Sequence, residues 1–147
     1  MPAPEELKLL KVIQKIELFS HLTTEEAQIV ISLGKRKAYE SGSTIFRKGE
    51  LPQLFAVVLS GQLRLHENTY TTDPGQSNGA INTLKRRPHW FTVTAQLEST
   101  ILAFDILNLR PLISSNPALY SKILERALEL AGNRLDIHGS FTVEDPS

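Results

Sequence analysis

Apolar residues recur at helical spacing at both ends of the chain and in short, closely spaced runs between them. From Pro4 to Ile16, Leu7, Leu10, Val12, Ile13 and Ile16 keep near a 3.6-residue period, with Glu5 and Glu6 in the first turn where carboxylates complement the helix dipole. Thr23 followed by Glu26 has the form of a capping box, and Ala27, Val30 and Ile31 supply the stripe of a second short helix ending near Leu33 and Gly34. From Lys35 to Phe104 the long period disappears. Thr44 to Phe46, Phe55 to Leu59, Leu63 to Leu65, Phe91 to Ala95 and Thr100 to Phe104 are rich in aromatic and β-branched residues, punctuated by Gly42, Gly49, Gly61, Gly75 and Gly79. Ser60-Gly61 reads as a tight turn, and Glu67 to Asn78, mostly polar around Asp73-Pro74-Gly75, as an exposed, mobile loop.

The helical period returns at Asp105, which can cap a short helix through Ile113, and Asn116-Pro117 opens a final one. There Tyr120, Ile123, Leu124, Ala127, Leu128, Ala131 and Leu135 form a stripe that is expected to be buried, with Gly132 marking either the helix end or a close backbone approach. This order predicts an α+β, mainly β chain: an antiparallel β-roll or jelly-roll barrel flanked by N-terminal and C-terminal helices. One domain is expected over residues 1–138, with a flexible tail over 139–147.

Composition narrows the chemistry. Sixteen Lys plus Arg balance sixteen Asp plus Glu, so no global field draws the chain to nucleic acid or an anionic membrane. The absence of cysteine removes disulfides, thiolate metal sites and cysteine nucleophiles together. No apolar stretch approaches the ~20 residues of a membrane span, and the acidic N-terminus is unlike a signal peptide, so a soluble cytoplasmic protein is expected. The histidines His21, His66, His89 and His138 keep no metal-ligand spacing, and no nucleophile elbow or phosphate-binding loop is present, so catalysis is not expected.

Several segments carry a specific resemblance. Leu18-Phe19-Ser20-His21-Leu22-Thr23, the run Ser41-Gly42-Ser43-Thr44-Ile45-Phe46-Arg47-Lys48-Gly49-Glu50, Val58-Leu59-Ser60-Gly61-Gln62-Leu63-Arg64-Leu65, and Asn116-Pro117 through Arg134-Leu135 resemble the cyclic-nucleotide-binding domain family. This is the sensor half of catabolite-activator-type regulators and of the regulatory subunits of cyclic-nucleotide-dependent kinases. The resemblance implies a cyclic phosphate seated at the N-terminus of a one-turn helix inside the roll, where free backbone N–H groups favour an anion. It also implies a Glu on the ribose hydroxyl and an Arg on the phosphate. In the matching stretch, Gly75 and Gly79 are present, but Ala80 stands at the Glu position, Asn82 at that of a small Ala and His89 at that of the Arg; Trp90 and Phe91 replace small residues.

A charge-assisted hydrogen bond to a desolvated phosphate contributes roughly 1.5 to 3 kcal/mol, so losing both polar ligands costs several hundredfold or more in affinity. If Phe91 continues a strand from His89, it shares that residue's face and plugs the pocket. Lys85, Arg86 and Arg87 are either a solvated loop or a shifted anion site, and His89 pairs with phosphate only when protonated, below about pH 6.5. Trp90 either packs or stacks a base. Two readings follow: a non-enzymatic sensor holding cyclic AMP, cyclic GMP or another anionic small molecule through Gly79, Ala80, Ile81, Asn82, Arg86, Arg87, His89 and Trp90, or a pocket-degenerate interaction module. The last helix is a candidate homodimer seam; direct DNA binding is not expected, because the residues after Leu135 are too few for a helix-turn-helix.

Overall fold

The computed structural model describes residue 11, residues 15–67 and residues 70–138. The helix expected over Pro4 to Ile16 falls largely outside these residues, and the expected tail wholly so. A single 3-10 turn, Glu17–Phe19, leads into α1, Thr24–Ile31, whose capping box is complete: the Glu26 N–H donates to Thr23 Oγ1 at 3.2 Å and the Thr23 N–H to Glu26 Oε1 at 2.9 Å. Eight short strands follow: β1 (Gly34–Tyr39), β2 (Thr44–Phe46), β3 (Leu54–Ser60), β4 (Leu63–Leu65), β5 (Thr71–Thr72), β6 (Ser77–Asn78), β7 (Val93–Ala95) and β8 (Ser99–Asp105). Helix α2 (Ala80–Lys85) interrupts them between β6 and β7, and α3 (Ile106–Ser115) and α4 (Pro117–His138) close the chain. Asp105 caps α3 by accepting from the Leu107 N–H at 2.7 Å, and Asn116 Oδ1 accepts from the Leu119 N–H at 3.2 Å beside Pro117 in the first turn of α4. Gly132 does not end that helix, which runs on to His138.

The strands pair antiparallel in two four-stranded sheets, ordered β1-β8-β3-β6 and β2-β7-β4-β5. They face each other as a roll and remain separate ladders, so the closed-barrel alternative does not form. Strands β3 and β8 explain why: both faces of each are buried. Ala56, Val58, Ile101 and Ala103 point between the sheets against Leu63, Leu65, Val93 and Ala95, while Phe55, Val57, Leu102 and Phe104 point outward to a second core under the helices. In that outer core Phe104 stacks on Phe55 at 5.0 Å and meets Phe19 edge-on at 5.4 Å. The turn between β3 and β4 admits glycine alone, because a Cβ at Gly61, whose φ is +87°, would meet the Ser99 hydroxyl and, at 2.5 Å, the Glu98 carbonyl oxygen.

Three expectations change. Strand β1 is absent from the pattern reading because Lys35, Arg36, Lys37 and Ala38 are all exposed and show no alternation; as an edge strand it owes its place to the backbone ladder with β8. The span from Glu67 to Asn78 is not a free loop, for it contains β5 and β6, and Thr72 is fully buried. Its polar groups bond one another and the roll: Gln62 Nε2 and Thr71 Oγ1 donate to Asp73 Oδ1 at 2.8 and 3.2 Å, Asn78 Nδ2 to Thr72 Oγ1 at 3.0 Å, and the Val58 N–H to the Gln76 carbonyl at 3.0 Å. The stripe of α4 is buried at Ile123 and Ala127, but Leu128 is 50% exposed. No helix among the described residues is long and apolar enough to cross a membrane.

Candidate functional site

A cleft of about 90 Å³ opens where β6 passes into α2. Its floor is the turn Gly79 to Asn82. Gly79 adopts φ +82°, and a Cβ there would stand 3.2 Å from His89 Cε1 and 3.4 Å from Phe46 Cε2, so glycine serves both the turn and the packing. The first intrahelical bond runs from the Thr83 N–H to the Gly79 carbonyl at 2.9 Å, so the N–H groups of Ala80, Ile81 and Asn82 have no acceptor within the helix. Two side-chain bonds hold this turn of helix in place. Thr83 Oγ1 donates to the Leu54 carbonyl at 3.1 Å, and Asn82 Nδ2 to the Pro88 carbonyl at 2.8 Å.

The second wall is the segment that returns from α2. His89 is held on both sides of its backbone, its N–H donating to the Glu50 carbonyl at 3.0 Å and its carbonyl accepting from the Gly49 N–H at 2.9 Å. Its ring stacks on Phe46 at 4.3 Å. Burial disfavours the charged imidazolium and pushes the pKa down to about 4, so at neutral pH the ring is uncharged. The expected partnership of a protonated His89 with phosphate therefore fails near neutrality. Leu65 and Val93 continue this wall, and Trp90 and Phe91 line it with them. Because β7 begins only at Val93, the strand alternation that would align Phe91 with His89 does not extend to them; Phe91 borders the cleft and leaves it open.

The third side belongs to other parts of the chain. Ala127, Leu130 and Ala131 of α4 face the turn of α2, and Glu17 contributes from the 3-10 turn. Helix α4 is anchored there by three contacts: Arg126 Nε donates to the Glu17 carbonyl at 3.0 Å, the Tyr120 hydroxyl to the Leu84 carbonyl at 3.3 Å, and Lys122 Nζ pairs with Glu26 at 2.7 Å.

Of the residues singled out from the sequence, Gly79, Ala80, Ile81, Asn82, His89 and Trp90 come together in this cleft. Arg86 and Arg87 do not: with Lys85 they are exposed, and they lie outside the lining, at the left-handed turn that ends α2. Sequence reasoning missed Glu17, Leu65, Ser77 and Asn78 as lining residues, and Leu130 as well. Glu17, Leu65 and Leu130 lie well away from Gly79 along the chain and left no local signal, whereas Ser77 and Asn78 adjoin it and read only as part of the polar loop ending at Asn78. Ala127 and Ala131 were legible only as members of an apolar stripe.

Comparison with known proteins agrees with this architecture. The chain is 31% identical over 134 residues to the Cyclic AMP receptor protein of Thermus thermophilus, covering 82% of this chain and 61% of that protein. It is 26% identical over 132 residues to a protein of Rhodopseudomonas palustris named as a potassium channel protein, covering 86% of this chain but 32% of that one. The chain thus spans between about a third and three fifths of these curated relatives. In fold it superposes on a cyclic nucleotide-binding domain from Methylobacillus flagellatus with a TM-score of 0.75 at 20% identity, over 96% of this chain and 86% of that one. The model of the cyclic nucleotide-binding domain matches residues 36–116, from β1 through α2 and His89 to the end of α3, and on that match the chain belongs to the cyclic nucleotide-binding domain family.

Proposed function

We propose that this chain is a non-enzymatic regulatory domain that senses a small molecule in the cleft and passes its occupancy to α4. The observation that carries the reading is the shared wall: the amide turn of α2 and Ala127, Leu130 and Ala131 of α4 line one open cleft, so an occupant touches the anchoring turn and the last helix together. Membership of the family supports it, as does the likeness to a cyclic AMP receptor protein. Cyclic AMP and cyclic GMP enter as candidate ligands through the free N–H groups of Ala80, Ile81 and Asn82, which suit an oxyanion. The rest of an anion site is missing among the described lining residues, which include no lysine or arginine.

The test is titration of the isotope-labelled protein with a panel of cyclic mononucleotides, cyclic dinucleotides and uncharged ring compounds at millimolar concentration, read by amide resonances. At least one compound is expected to move Gly79 to Asn82 and Ala127 to Ala131 together. Silence of both segments toward the whole panel would overturn the reading.

A second role is favoured by Leu128, half exposed on a helix whose neighbouring apolar residues are covered. We read α4 as the seam of a homodimer. Light scattering is expected to give a dimer mass that Leu128→Lys reduces to the monomer's, and a monomeric wild type would exclude the seam.

A further inference from the structure

The cleft's charge and hydrogen-bonding inventory says more about its occupant, given that the sensing reading above holds. Among the described residues its lining contains no cationic side chain, and the titratable ones there are Glu17 and His89. Without a lysine or arginine in that lining a phosphate has no charge partner, and the amides of a six-residue helix do not by themselves replace an arginine. Cyclic nucleotides are therefore poor matches.

His89 adds a positive criterion. It is 5% exposed, and among the described residues neither ring nitrogen has a hydrogen-bond partner, although no fully buried side-chain polar atom is left unpaired. The nitrogen edge thus keeps contact with open space, and the space that His89 borders is the cleft. An uncharged imidazole presents one N–H donor and one lone-pair acceptor. Leu65, Trp90, Phe91 and Val93 around it are apolar or aromatic. The volume, about 90 Å³ on a scale where one water needs roughly 10–15 Å³, accommodates a substituted ring.

The geometry points to an uncharged ring compound bearing a carbonyl beside an N–H or hydroxyl group, bound by His89 and the turn at Gly79 with its ring against Phe91 and Val93.

Benzamide and benzoate make the test, since they share a shape and differ in charge, with cyclic AMP as the third probe. The amides of Gly79 to Asn82 and the ring of His89 are expected to respond to benzamide with an affinity about tenfold or more above that for benzoate, and above that for cyclic AMP, the discrimination of one satisfied hydrogen bond and one unpaired charge. His89→Phe, which keeps the stacking surface and removes both nitrogens, is expected to weaken benzamide about tenfold with the thermal midpoint at pH 7.5 retained, and His89→Gln, which restores a donor and an acceptor, to recover part of that loss. Benzoate or cyclic AMP binding as tightly as benzamide would overturn this inference and leave the sensing reading standing. Equal benzamide binding by wild type and His89→Phe would overturn the role of His89 in it. Silence toward all three probes would overturn this inference, while the sensing reading falls only with silence toward the whole panel of cyclic nucleotides and ring compounds.

Discussion

The imidazole of His89 shows how one side chain can carry both a structural and a functional constraint. Stacked on Phe46 and pinned through its own backbone, it is held with its pKa near 4 by burial, against an ordinary value of about 6.5. Above pH 6.5 the ring is neutral in both folded and unfolded chains, and stability is at its full value. As pH falls from 6.5 to about 4 the unfolded chain takes up a proton that the folded chain refuses, so stability drops, by on the order of 2–3 kcal/mol at the lower end. Urea midpoints measured across this range should fall for the wild type, and the fall should be largely absent in His89→Phe. An equal fall in both proteins would show that His89 does not titrate in this way. Gly79 beside it was legible as a turn glycine. That its missing Cβ also makes room for the His89 and Phe46 rings was not, since those residues are distant from it in sequence.

Among the elements, the helices were the most legible, because their caps are local: Thr23, Asp105 and Asn116 each satisfy a backbone N–H two or three residues on. The cap of α1 also reaches across the molecule. Glu26 accepts from the Thr23 N–H and pairs with Lys122 of α4, and its carboxyl is held below the usual value first by the Lys122 hydrogen bond and then by the Thr23 backbone. Thr23→Ala should lower stability by about 1 kcal/mol. Lys122→Met, which removes a half-exposed partner, should cost about 0.5 kcal/mol or less, with a salt dependence that Thr23→Ala lacks. Chemical denaturation at two ionic strengths separates them, and a cost for Lys122→Met matching that of Thr23→Ala would contradict this ranking. Short strands were harder to read. β1 has no buried face to write into its pattern, and β5 and β6 are two-residue pairings inside a polar segment.

At the level of the whole molecule, β3 and β8 hold two cores together, and in the outer one Phe104 touches Phe55 across the ladder and Phe19 from the 3-10 turn. Phe104→Ala should destabilise the fold by about 3–5 kcal/mol, loosening α4 along with the sheets in a single unfolding transition. Calorimetry checks this, and two resolved transitions would mean that the cores are independent. The alternation of short apolar runs with glycine turns, and the return of a 3.6-residue stripe after Asp105, suffice to specify a roll between helices, because strand and helix periods are properties of neighbouring residues. The departure of Ala80 and His89 from the Glu and Arg that the resemblance implies is likewise plain in the chain. Whether Phe91 closes the cleft, whether Arg86 and Arg87 enter it, and which side chains from Glu17 and α4 complete it depend on where segments tens of residues apart come to rest. Those outcomes follow from packing around β3 and β8, a long-range balance of burial and hydrogen bonding that no local pattern encodes.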